Sequence, residues 1–288
     1  MTLISMLLAL IIERLAVRSD AWQSDRYLNA YIHFSARSAL AKLASHRAGQ
    51  YAWLLLPGAL VALLLCIADS HLLTLVVNTL LLLLAIGCWH YRQLYKQYLN
   101  AMDRGDDESA FLTMQQIRQE SGSQREQNSY GQVLVWLNFR YYAAVVFWFL
   151  LTGAFGVITY ALVRHLQENP PAENTELVAD YAACRNDEHN ALSILSHWLN
   201  WFPARLFGLG FALVGHFSRA STALLSYFLD FTADNEQVIT EVAAAAEPLP
   251  ETTLNSLEET SYMVQLAKRN MLFFLAFTAI LTLSGWLG

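Results

Sequence analysis

Charge is scarce in this chain. Of 288 residues only 15% are Asp, Glu, Lys or Arg, against about a quarter in soluble domains, which excludes an ordinary water-soluble globule. The formal net charge of −6 excludes the basic surface that a nucleic-acid partner requires. Cysteine numbers three; Cys66 and Cys88 sit in apolar runs and Cys184 stands alone, so neither a disulfide framework nor zinc-ligand spacing is present. The eight histidines form no pair three or four apart, so no helical metal-binding pair exists. No G-x-x-x-x-G-K-[ST] or G-x-G-x-x-G occurs, so a phosphate-cradling loop is absent. Strand-like alternation of any length is missing too, and the expected fold is all-α.

What the chain has in quantity is apolar sequence: 55% of residues and a mean hydropathy of +0.31. Three windows approach the roughly 20 helical residues that cross a bilayer core: 51–68, 72–89 and 141–163. A fourth covers 271–288. The N-terminal "MTLISMLLALIIERL" has no basic residue ahead of its apolar run and no small-residue cleavage site, so 1–15 reads as a retained helix, half-inserted or buried in protein, closed by Glu13 and Arg14. The expected architecture is a single polytopic helical membrane domain over 1–288, with amphipathic and interfacial helices. Segments 90–140, 164–200 and 220–270 read as soluble, and 203–219 as a partial crossing.

Basic residues stay on the cytoplasmic side of short loops. Arg14, Arg18, Arg26, Arg37, Lys42 and Arg47 fall in one segment; Arg92, Lys96, Arg104, Arg118, Arg125 and Arg140 fall in another; the "DSH" connector at 69–71 has none. Both basic segments are therefore assigned to the cytoplasm. Residues 107–127 read as an amphipathic helix with Phe111, Met114 and Ile117 buried. Residues 174–199 read as a second, and Pro248 and Pro250 break a third.

Polar residues intrude at two apolar places. In "NWFPARLFGLGFALVGHF" (200–217), Pro203 suits a first helical turn, and Arg205, Gly208, Ala212, Gly215, His216 and Arg219 project onto one arc. A buried arginine costs about 2.5–3.5 kcal/mol on insertion scales, so something must offset it. Gly208, Ala212 and Gly215 can form a small-residue seam for close helix packing. Alternatively the glycines open a concavity lined by Arg205, Arg219 and His216 for a small anionic or amide-bearing ligand. In "VWLNFRYYAAVVFW" (135–148), Asn138 and Arg140 precede the apolar run, where Arg140 is a flanking charge or the partner of Glu13. Arg164 and His165 read as an interfacial anchor, and Asp230 as a lone acid that caps or pairs.

The stretches "LLALIIERL", "LNFRYYAAVVFWFLLTGAFGVITYALVRHL", "WFPARLFGLGFALVGH" and "LAKRNMLFFLAF" resemble, in order, the AmpE family of bacterial inner-membrane proteins associated with β-lactamase induction. AmpE proteins are in turn similar to the CobD/CbiB enzymes, which form an amide bond on a corrinoid carboxyl group; "PARL" carries that wider likeness. The early Gly-Asp-Pro and His-Pro elements of those enzymes have no counterpart in "ERLAVRSDAWQSDRYLN", so an amide-forming membrane enzyme is the alternative that the wider likeness implies rather than the main reading. The resemblance implies a multi-pass inner-membrane regulatory protein. Its carried-over site residues are Glu13, Asn138, Arg140, Arg205, His216 and Asp230. Its partners would be the lipid bilayer and either a small anionic metabolite or another membrane protein, with an oligomer as one form of assembly.

Overall fold

The computed structural model describes residues 2–15, 24–38, 40, 47–86, 89–123, 125–169 and 191–285. Every regular element among them is helical, and three helices are long and apolar enough to cross a membrane: Ala48–Ala68, Tyr130–Thr152 and Leu257–Leu283. A fourth crossing arises if His71–Ala85 and Trp89–Asp103 form one broken span. The protein is an all-α, polytopic membrane protein. The chain divides into two compact units, one of Met1–Gly87 and Ala144–Leu199, the other of Cys88–Ala143 and Asn200–Gly288.

In the first unit, α1 (Thr2–Leu15) packs on α4 (His71–Ala85), and α2 (Ser24–Ala36) packs on α9 (Ala154–Glu168). Helix α9 also packs on α3 (Arg47–Ala68), on α4 and on α8 (Ala144–Thr152). Helices α3 and α9 approach closely at Gly58 of α3, where a Cβ would lie 2.7 Å from the carbonyl oxygen of Phe155. Leu60, Leu63, Leu64 and Ile67 stay exposed on the far face of α3, as lipid contact requires.

Among the described residues two prolines lie inside helices, and each frees the carbonyl four residues back. Pro57 in α3 frees Trp53, whose oxygen accepts the Tyr31 hydroxyl at 2.8 Å. Burial pushes Tyr31 up to about 12, so it remains a donor at any physiological pH. Pro203 in α10 (Ala191–Val214) frees Leu199, whose oxygen accepts Trp148 Nε1 at 2.8 Å. In each case a side chain supplies the donor that proline lacks.

The second unit contains α5 (Trp89–Asp103), α6 (Asp107–Glu120), α7 (Tyr130–Asn138), a π-helical turn (Phe139–Ala143), the end of α10, α11 (Phe217–Tyr227), α12 (Asn235–Ala246) and α13 (Leu257–Leu283). Helices α5 and α6 pair, and Tyr98, Met114, Ile117, Val133 and Leu137 bury together where α7 meets them. Helix α7 also packs on α12 and α13.

Several expected boundaries move. The apolar run 141–163 is not one helix, because Gly153, at φ +65°, separates α8 from α9. The long helix instead begins at Tyr130 and continues through the π turn to Thr152. Residues 203–219 are not one helix either. Pro203 lies inside α10 rather than in its first turn, and α10 ends at Val214. Helix α4 stops at Ala85. Phe111 is 51% exposed, since α6 turns Ala110, Met114 and Ile117 inward instead. Of the amphipathic helix expected over 174–199, positions Leu177, Tyr181 and Cys184 lie outside the described residues.

Candidate functional site

Arg205 is only 4% exposed. Its guanidinium lies 4.6 Å from the ring centre of Trp201, one turn earlier on α10, and donates from NH1 to Asn235 Oδ1 at 2.6 Å. From NH2 it donates to the carbonyl of Asp230 at 2.8 Å and to that of Tyr227 at 3.4 Å. Tyr227 ends α11, so its carbonyl is one of those a helix leaves without an internal partner. The positive group therefore sits at the negative end of a helix. Among the described residues its acceptors are all neutral oxygens, and its Nε is buried without a hydrogen-bond partner.

The same arrangement recurs. Arg140, 2% exposed, lies on the π turn with its guanidinium 5.7 Å from the ring centre of Trp136, four residues earlier. It donates to the carbonyl of Ser121, the C-cap of α6, at 2.7 Å. In the first unit Arg164, also buried, donates to the carbonyl of Ala85, the last residue of α4, at 2.9 Å. Three buried arginines thus reach three helix C-termini. Their desolvation is offset by backbone carbonyls at or just past helix ends; those of Tyr227 and Asp230 are shared with the Asp230 N–H at 3.2 Å and Trp201 Nε1 at 3.3 Å.

Asp230 meets Arg205 through its backbone. Its exposed carboxylate turns into its own loop, accepting from the Thr232 hydroxyl at 2.7 Å, the Thr232 N–H at 2.8 Å and the Ala233 N–H at 3.1 Å. Those bonds, the Thr232 hydroxyl foremost, and the charge of Arg205 hold its carboxyl below the usual range. His216 does not share the Arg205 stripe. Helix α10 has ended before it, it stands exposed at the N-cap of α11, and its backbone N–H donates to the Ala246 carbonyl at 2.7 Å. Arg219 is exposed on α11. Gly208 faces Leu224, Ala212 is buried, and a Cβ at Gly215 would lie 2.7 Å from Ala246. Asn138 is half-buried at the end of α7. Glu13 is buried near the end of α1, within the first unit.

Arg164 and His165 are not interfacial anchors, because both are buried. The His165 ring spans Asp25 Oδ1 and Asn29 Oδ1, each at 2.9 Å, and so fastens α9 to α2.

The sequence reading passes over two buried carboxylates. Glu236, in the first turn of α12, accepts from Ser123 Oγ at 2.5 Å and Asn128 Nδ2 at 2.7 Å. Glu259, in the first turn of α13 and fully buried, accepts from the Ser129 hydroxyl and from the Asn255 N–H at 2.5 Å. Both lie at the positive ends of their helices, where a carboxylate is favoured. Adjacent residues Asn128 and Ser129 thereby tie the start of α7 to two other helix starts. Arg118 holds the preceding loop by the carbonyls of Glu126 at 3.1 Å and Asn128 at 2.5 Å. The legible signal was the S-x-x-[QE] capping spacing of Ser129–Gln132 and Ser256–Glu259. Among the described residues no group of His, Cys, Asp and Glu is placed to hold a metal ion.

The family described as "Regulatory signalling modulator protein AmpE" matches residues 1–288. The chain belongs to the AmpE family. "Protein AmpE" of Shigella flexneri is 30% identical over 301 residues, covering 99% of both chains. That coverage makes the family likeness one of whole proteins, so both units belong to it. Neither comparison extends the likeness to the CobD/CbiB enzymes. No solved structure matches the chain.

Proposed function

We propose that the chain is a multi-pass regulatory modulator of the bacterial inner membrane that links cell-envelope status to β-lactamase induction, and that a small anionic envelope metabolite acts on it through the Arg205 node. The family description supports the regulatory role. The observation that carries the ligand is a buried cation with no carboxylate among its hydrogen-bond acceptors: among the described residues Arg205 has neutral acceptors at both terminal nitrogens and an unpartnered Nε, and the Asp230 carboxylate near it is exposed and turned into its own loop. An anion is the group whose approach such a site favours. Binding would compete for the donors that hold the end of α11, so the ligand's affinity would be coupled to the position of α11.

The test is induction of β-lactamase in cells carrying Arg205→Leu, Arg205→Lys or Asn235→Ala in place of the native chain, with membrane abundance measured alongside. Arg205→Leu should abolish the regulatory effect at normal abundance, with Arg205→Lys intermediate. Purified protein in nanodiscs should bind N-acetylmuramate or inorganic phosphate, and Arg205→Lys should weaken that binding at least tenfold. An abundant, fully active Arg205→Leu protein would sink the reading.

A further inference from the structure

Helix α11 has three faces where a helix at a protein surface needs only two. Taking about 100° per residue from Phe217, Ala220, Leu224 and Tyr227 fall between about 280° and 340°, on the side turned into the unit. Ala220 and Leu224 are buried there. Phe217, Leu225 and Phe228 fall between about 0° and 80°, and all three are exposed, Leu225 at 73%, with Leu229 beyond them at 77%. Ser218, Arg219, Thr222 and Ser226 fall between about 100° and 200° and are exposed too. One side meets protein, one is open and apolar apart from the half-buried Ser221 at about 40°, and one is polar and open.

The open apolar side is continuous with an exposed apolar stripe that packs beside the spanning helix α13. Leu206, Leu209 and Leu213 form an exposed stripe on α10, two residues separate α10 from α11, and Gly208 packs against Leu224. Helix α10 crosses the spanning helix α13 at Asn270, whose side-chain N–H donates to the Phe207 carbonyl at 3.0 Å. At that level the exposed surface of α13 changes from Lys268 and Arg269 to Leu272, Phe277 and Ile280. A change from basic to apolar residues along a spanning helix marks the headgroup level. The crossing therefore places α10, and α11 beside it, at the lipid–water boundary.

We propose that α11 and the turn that follows it form an in-plane membrane helix, with Phe217, Leu225, Phe228 and Leu229 seated in the lipid boundary and Ser218, Arg219, Thr222 and Ser226 facing water. The partner is the bilayer surface itself. A segment of this kind buries its apolar side about 5–10 Å into the headgroup–acyl boundary. The 220–270 region is then not a wholly soluble segment, and the carbonyls gripped by Arg205, of Tyr227 at the end of α11 and of Asp230 in the turn after it, belong to a segment that lipid can move. This inference stands without any ligand at Arg205.

The experiment uses the full-length chain in phosphatidylcholine nanodiscs, with Cys66, Cys88 and Cys184 replaced by serine. Single cysteines at 217, 225 or 229, and at 218, 222 or 226, carry an environment-sensitive fluorophore. Labels at the first three positions should be quenched at least twofold more by lipids bearing a shallow spin label than by a deep one, and protected from aqueous iodide. The second three should show the reverse. Natural Leu225 and Leu229 replaced together by aspartate should raise iodide access at 217 in protein that stays monodisperse. Labels at 225 and 229 as open to iodide as that at 222 would overturn the proposal. So would protection from both quenchers, which indicates a protein partner or a second copy, or depth that increases steadily from 217 to 229, which indicates a crossing helix.

Discussion

The two units solve the same problem, buried polar groups in an apolar protein, by different means. In the first, the donors Tyr31, Trp148 and Arg164 go to backbone carbonyls left open by a proline or by a helix end. In the second, carboxylates at helix starts collect neutral donors from a loop, while Arg140 and Arg205 hold helix ends. Tyr31 and Trp148 each repair a defect within one helix, beside the ties that Arg164 and His165 make between helices of the first unit; the second unit joins several helix starts at one loop. A lost Tyr31 or Trp148 bond therefore loosens one helix, whereas a lost bond at Glu236 or Glu259 frees a shared junction.

The largest effect should come from Glu259. Glu259→Leu leaves the buried Ser129 hydroxyl and the Asn255 N–H without this acceptor and should cost about 3 kcal/mol, with Glu259→Gln losing roughly half as much. Thermal unfolding of detergent-solubilised protein measures both, and equal losses would show that charge is not what the junction uses. Next is Gly58→Ala in the first unit, where a methyl would meet the Phe155 carbonyl and should cost about 2 kcal/mol; an unchanged melting temperature would mean that α3 and α9 can separate freely. Trp148→Phe and Tyr31→Phe should each cost about 1 kcal/mol and add in the double variant, because each repairs a different helix. Coupling between them would undo the description of the first unit as independent repairs.

The smallest effect is a pH dependence in the second unit. The Asp230 carboxyl is held below its unfolded value, so its contribution is present above about pH 4 and is lost as pH falls through the folded value. Melting temperature followed from about pH 5 downward should fall less steeply in Asp230→Asn than in the native chain. A parallel decline would remove Asp230 from the account of the loop.

Fold class was legible because apolar windows of spanning length need no tertiary information. The boundaries were less so, for identifiable reasons. "LLTGAFGV" reads as a continuous apolar run, yet Gly153 takes a backbone conformation that interrupts it. Pro203 looks like a helix start because a proline within a helix is tolerated only when another residue serves the freed carbonyl, and Trp148 stands 51 residues away. Arg205 was legible as an arginine needing compensation, but the compensation comes from the end of a helix, which no projection of α10 alone displays. His216 was misplaced by the same projection, since it assumed a helix that stops at Val214. Asn128 and Ser129 hid in a loop without ligand-like spacing; their importance depends on carboxylates more than a hundred residues later.

One consequence of the Arg205 clamp concerns chain length. A single NH2 group touches carbonyls of Tyr227 and Asp230 while NH1 reaches Asn235. The guanidinium therefore works as a ruler over the nine positions from 227 to 235, tolerant of what side chains stand between but not of how many. In related chains this stretch should vary in composition, while an insertion or deletion within it should be matched by a change at the position of Arg205.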